Sequence, residues 1–75
     1  KASVKVMITV VTNSIVTNVD KDCNYQVLDG TGRLLQRGKM VAGTNNIDIT
    51  NAQKGLILLR IQGDLETTTL KLIKQ

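Results

Sequence analysis

The residues able to do chemistry in this 75-residue chain are few. The carboxylates are Asp20, Asp22, Asp29, Asp48, Asp64 and Glu66; Cys23 is the one thiol, and there is no histidine. Without histidine, no Ser–His or Cys–His nucleophile–base pair can be assembled. The same composition excludes a zinc site of the usual nitrogen–sulfur kind, and Cys23 has no intrachain disulfide partner. Asp29-Gly30-Thr31-Gly32 has the outline of an aspartic-protease Asp-Thr-Gly, but a glycine separates Asp from Thr. That chemistry also needs two carboxylates sharing one proton. An Asp able to bond its own backbone, with two nearby glycines, is better read as a tight hairpin turn. The glycines form neither a phosphate-binding loop nor a G-x-G-x-x-G run that opens a helix. The other carboxylates fall at turn-like positions and lack the spacing of an EF-hand loop. The chain is therefore expected to be no enzyme and to need no metal or cofactor. Cys23 reads as a small, half-buried apolar residue, with an exposed thiol joining two copies as the alternative.

The net charge is +4 and the sequence pI about 9.6. A basic balance raises nucleic acid or an anionic surface as a partner. The cations are scattered, however, and Tyr25 is the single aromatic residue, a poor platform for stacking bases. No nucleic-acid partner is expected. The longest uncharged apolar-rich run, Val6 to Val11, is far too short to span a bilayer. The chain opens on Lys1 without a signal-peptide pattern and is read as one domain, residues 1–75, cut from the C-terminal end of a longer protein.

Abundant Val, Ile and Thr favour strands, and no stretch has a 3.6-residue period. Ser3 to Val11 alternates, with Val4, Val6, Ile8 and Val10 expected on the buried face. Ile15–Val19, Cys23–Leu28, Leu34–Val41 and Asn46–Thr50 follow as short strands, the last with Ile47 and Ile49 inward. Gly38 is expected at a bulge or a close backbone approach. Turns are expected at Asp29–Gly32, at Ala42–Asn45 around Gly43, at Gly55 and at Gly63-Asp64. Leu56 to Ile61 reads as a central strand buried on both faces. Gly63-Asp64 then joins it as a hairpin to a basic last strand. Six or seven strands with turn signals every eight to twelve residues predict an all-β, antiparallel, immunoglobulin-like sandwich, without the Cys…Trp…Cys core.

Four segments, in this order, resemble a known family. Tyr25-Gln26-Val27-Leu28-Asp29-x-x-Gly32-Arg33-Leu34-Leu35 resembles the aromatic-hydrophobic-Asp-x-x-Gly-Lys/Arg hairpin of the type IX secretion C-terminal sorting domain of Bacteroidetes. Gly43-x-Asn45-x-Ile47-Asp48-Ile49 is similar to its next block, Lys54-Gly55-Leu56-Ile57-Leu58-Leu59-Arg60-Ile61 to its "KGxYxxxI" strand, and Thr69 to Gln75 to its terminal block. The chain departs from the family in having no proline, where members carry Pro-Asn-Pro near the start, and in having Ile57 at the usual Tyr.

The resemblance implies an immunoglobulin-like sandwich that directs a cargo, after Sec export to the periplasm, through an outer-membrane translocon to the cell surface or medium. It also implies removal of the domain by a sortase-like cysteine peptidase, with attachment of the cargo to anionic lipopolysaccharide. On this reading Lys71, Leu72, Ile73, Lys74 and Gln75 are presented to the translocon by strand addition, and the lysine charges speed encounter with an acidic receptor. Deleting that segment is expected to block secretion and spare most of the fold. The alternative is a retained structural module that no secretion machine reads. A weak homodimer through an edge strand or Cys23 is compatible with both.

Overall fold

The computed structural model describes residues 8–75. Among these residues seven strands follow one another without a helix: β1 (Ile8–Val11), β2 (Ser14–Val19), β3 (Cys23–Asp29), β4 (Leu34–Met40), β5 (Gly43–Asp48), β6 (Gly55–Gln62) and β7 (Thr67–Lys74). They form a five-stranded sheet in the order β1-β7-β6-β3-β4 and a two-stranded sheet, β2-β5. The expected all-β sandwich is thus present. Residues 1–7 of the strand expected over Ser3 to Val11 lie outside the described residues.

Period-two alternation builds the core between the two sheets. Ile15 and Ile47 come from the small sheet, and Ile49 follows it directly; Val27, Met40, Ile57, Leu59 and Leu72 come from the large one. All these side chains are aliphatic or methionine, as a chain without Phe or Trp requires. Tyr25, Cys23 and Ile61 pack around the edge of this cluster. Cys23 is half-buried and carries a free thiol. Gly38 is a close approach: a Cβ there would lie 2.9 Å from Cε2 of Tyr25, its cross-strand partner.

Several expectations need correction. β1 pairs with β7 in parallel, Val10 beside Ile73 and Val11 beside Lys74, so the sandwich is not wholly antiparallel. The whole chain separates these strands, which removes the hairpin constraint and leaves room for a crossover. This register turns Val10 outward, 57% exposed, and packs Val11 against the core. β6 is central, between β7 and β3, but it is not buried on both faces. Ile57 and Leu59 are buried, whereas Leu56 is 40% exposed, because the small sheet covers one face only. Thr44 and Asn45, expected in a turn, already pair with Asn18 and Thr17 in β5. The β6–β7 connection runs from Gly63 to Glu66, closed by the Gly63 N–H donating to the Glu66 carbonyl. A loop of this length does not force Gly63 into the left-handed region; Gly32, Gly43 and Gly55 occupy it, with φ of 90°, 109° and 122°.

Candidate functional site

The segment expected to be read, Lys71–Gln75, lies inside the large sheet. β7 is paired to β6 on one side and to β1 on the other, so its backbone groups are engaged on both flanks. Alternation then divides its side chains. Leu72 is buried in the core opposite Ile57, while Ile73 lies on the outer face opposite Leu56. Lys71 is exposed on that outer face opposite Leu58. The Gln75 N–H donates to the Val11 carbonyl at 2.9 Å, extending the contact between β1 and the chain beyond β7.

Lys74 corrects the sequence reading most sharply. Expected to be presented to a receptor, it is instead 7% exposed, on the inner face. Its Nζ donates to the carbonyl oxygens of Ile49 at 2.8 Å, Thr50 at 2.9 Å and Ala52 at 2.6 Å. An ammonium has three donors and no acceptor, so this cage saturates it. The cage follows from local chemistry after β5. Asp48 Oδ1 accepts from the backbone N–H and hydroxyl of Thr50, at 2.8 and 2.6 Å, which bends the chain. The Ala52 N–H donates to the Ile49 carbonyl and closes the turn, gathering three carbonyls toward one point. Those Thr50 bonds, and then the Lys74 charge, hold the Asp48 carboxyl below the ordinary aspartate value. The Ile49 N–H also donates to the Asn13 carbonyl, so the end of β7, the β5–β6 turn and the β1–β2 turn are joined at one pole.

The turn residues have equally specific tasks. Asp29 Oδ1 accepts from the Thr31 N–H, the Thr31 hydroxyl and the Arg33 N–H at 2.9, 2.6 and 2.9 Å. The Thr31 hydroxyl, followed by the Arg33 N–H, lowers the Asp29 pKa. Gly32 supplies the left-handed residue the turn needs, and Arg33 Nε lies 3.3 Å from Asp29 Oδ2. The Asp-x-x-Gly-Arg spacing is therefore one self-bonded turn. Likewise Gly43-x-Asn45 brackets a turn in which the Asn45 amide bonds both Val41 N–H and Val41 C=O. Sequence reasoning placed Asn45 in this turn but did not foresee that its side-chain amide closes it. It also missed Asp22, whose carboxylate accepts from the Ala42 N–H across the fold at 2.9 Å. Proximity to Gly43 was the available signal for Asn45; none existed for Asp22 or for the Lys74 cage, whose partners are distant in sequence.

Among the described residues no helix is long and apolar enough to cross a membrane, and no group of three His, Cys, Asp or Glu side chains is placed to hold a metal ion. A comparison with curated proteins found no match. A family model, the secretion system C-terminal sorting domain, matches residues 4–75, which includes the N-terminal third that lacks the family's prolines. The match embraces the self-bonded Asp29 turn, the Gly43-x-Asn45 turn, the Gly55 strand and the terminal β7, each now with a physical task. The chain belongs to the type IX secretion C-terminal sorting domains of Bacteroidetes: it is a C-terminal signal, recognised by the type IX machinery, for export across the outer membrane to the cell surface or the medium.

Proposed function

We propose that this domain is a non-enzymatic signal read in its folded state, carried at the C-terminal end of a cargo through the periplasm. On the outer side a sortase-like cysteine peptidase cuts before the domain and joins the cargo to anionic lipopolysaccharide. The observation that carries the folded-state reading is the position of Lys74. Its ammonium is consumed by three backbone carbonyls, and β7 is flanked by strands on both sides. Strand addition onto Lys71–Lys74 would first require β1 to leave. Lys71–Gln75 therefore contributes chiefly by completing the sandwich, with Lys71 and Ile73 its outward-facing residues. Any self-association is assigned to a sheet edge without a strand partner among the described residues, that of β4 being one. Arg37 and Lys39 on that strand weaken such pairing by like charge.

The test is a fluorescent reporter exported to the periplasm of a type IX-competent bacterium and fused ahead of residues 1–75. The intact fusion should appear outside, with the domain missing from the mature cargo and lipopolysaccharide attached by mass spectrometry. Lys74→Ala should lower export in proportion to the unfolded fraction. A Lys74→Ala fusion that is unfolded and yet exported at the normal level would refute the folded-state reading. A mature surface cargo that keeps the domain would favour a retained structural module.

A further inference from the structure

Among the described residues the small sheet covers one face of the five-stranded sheet and leaves the other open, and that open face is sorted by chemistry. The registers place Val10, Ile73 and Leu56 in one row across β1, β7 and β6. Lys71, Leu58, Leu28 and Leu34 form the next row, reaching β4. Beyond them lie Thr69, Arg60, Gln26 and Arg37, and then Thr67, Gln62, Asn24 and Lys39. One end of the face is thus apolar and the other cationic, and none of these positions carries a carboxylate.

Two details show that the apolar end is a built surface. Leu28 is buried but stands outside the main core cluster, so its cover comes from neighbours on the outer face. Arg60 Nη1 donates to Gln26 Oε1 at 3.2 Å, which anchors the cationic row to the sheet. Val10, Leu34 and Leu56 nonetheless remain 57%, 44% and 40% exposed. Exposed apolar side chains grouped beside an unbalanced charge are what an interaction surface requires.

We infer that this face is the docking surface of the sorting signal. Its partner is a protein of the export machinery that presents an apolar patch beside carboxylates. The inference rests on the sorting-signal reading and names the surface through which it acts. Charge selects the partner: Arg37, Lys39, Arg60 and Lys71 demand an acidic counter-surface and oppose a second copy of the same face. The apolar end favours a protein over a lipid surface. Its side chains lie partly buried in a stiff sheet, and the chain has no Trp or Phe to anchor at a membrane interface.

The experiment uses the reporter fusion in the type IX-competent strain. Arg37→Glu with Lys71→Glu alters the face, and Lys21→Glu with Lys54→Glu changes net charge equally elsewhere. All four positions are exposed, and thermal melts establish that both variants fold. The face variant should lose on the order of tenfold in its outside-to-periplasm ratio, while the control variant keeps the unaltered ratio. A photo-crosslinker at Val10 or Leu56 should capture an export-machinery protein identified by mass spectrometry. The same group at Val16, exposed on the small sheet, should not. If the unaltered fusion and the folded face variant are exported equally, the docking surface is wrong and the sorting signal stands. If the unaltered fusion itself stays inside, the sorting reading fails and takes this inference with it. Binding to phosphatidylglycerol vesicles that the face variant abolishes, without protein crosslinks, would make the face a lipid reader and overturn the proposal.

Discussion

Lys74 places its Nζ 2.8 Å from the carbonyl oxygen of Ile49, joining β7 of the large sheet to the turn that leaves the small one. Replacing Lys74 with Ala leaves the three carbonyls without this donor. The expected loss is about 2–3 kcal/mol, since each buried acceptor left unpaired costs about 1–3 kcal/mol and water can reach some of them. Lys74→Arg should not restore stability fully, because a planar fork cannot converge on carbonyls that suit a compact ammonium. Urea unfolding midpoints measure both effects. An unchanged midpoint in Lys74→Ala would show that the cage contributes nothing.

Asp29 and Asp48 should together produce an acid-sensitive fold. Hydrogen bonds to the ionised carboxylates depress both pKa values from 3.8, so the folded state binds protons less readily than the unfolded state. Their contribution is fully present above the ordinary aspartate value and is lost as pH falls through the lower folded values. Melting temperature should therefore be level near neutrality and fall in strong acid. Asp29→Asn combined with Asp48→Asn should be less stable at neutral pH and should show a shallower acid decline. Parallel melting curves for the original chain and the double variant would contradict this assignment.

Gly55 and Gly63 should respond differently to alanine although both border β6. Gly55 has φ of 122°, where a Cβ strains the backbone by about 1–3 kcal/mol. At Gly63 an added Cβ meets only the Glu66 carbonyl oxygen at 3.5 Å, an ordinary contact, and φ is not positive. Gly55→Ala should lower the denaturation midpoint, and Gly63→Ala should leave it nearly unchanged. Equal losses would mean that the hairpin loop carries strain this structure lacks.

Gly38 and Tyr25 should be energetically coupled. An alanine Cβ at position 38 would stand 2.9 Å from the ring carbon and 3.0 Å from the hydroxyl oxygen of Tyr25. The half-buried ring must swing away from the core edge, at a cost of about 1–2 kcal/mol. In a Tyr25→Leu background the shorter side chain should remove most of that cost. A double-mutant cycle by denaturant unfolding reads the coupling directly, and strict additivity would place the ring elsewhere.

The local units are written in the order of the residues. Alternation marked Ile47 and Ile49 as inward-facing, an unbroken apolar run put Ile57 and Leu59 in a central strand, and turn chemistry located Asp29, Gly32, Gly43 and Gly55. These signals are legible because a strand's faces and a turn's φ depend on residues a few positions apart. Tertiary structure alone decided which strands became neighbours. It set β1 beside β7 in parallel, turned Val10 outward, left one face of β6 open and carried Lys74 to carbonyls more than twenty residues away. Alternation assigns a side chain to a face without saying what covers that face. A lysine's charge likewise gives no hint that three distant carbonyls will converge on it. The candidate site was therefore found by position along the chain, while its division into a buried latch and an outward surface came from the packing of two sheets of unequal size.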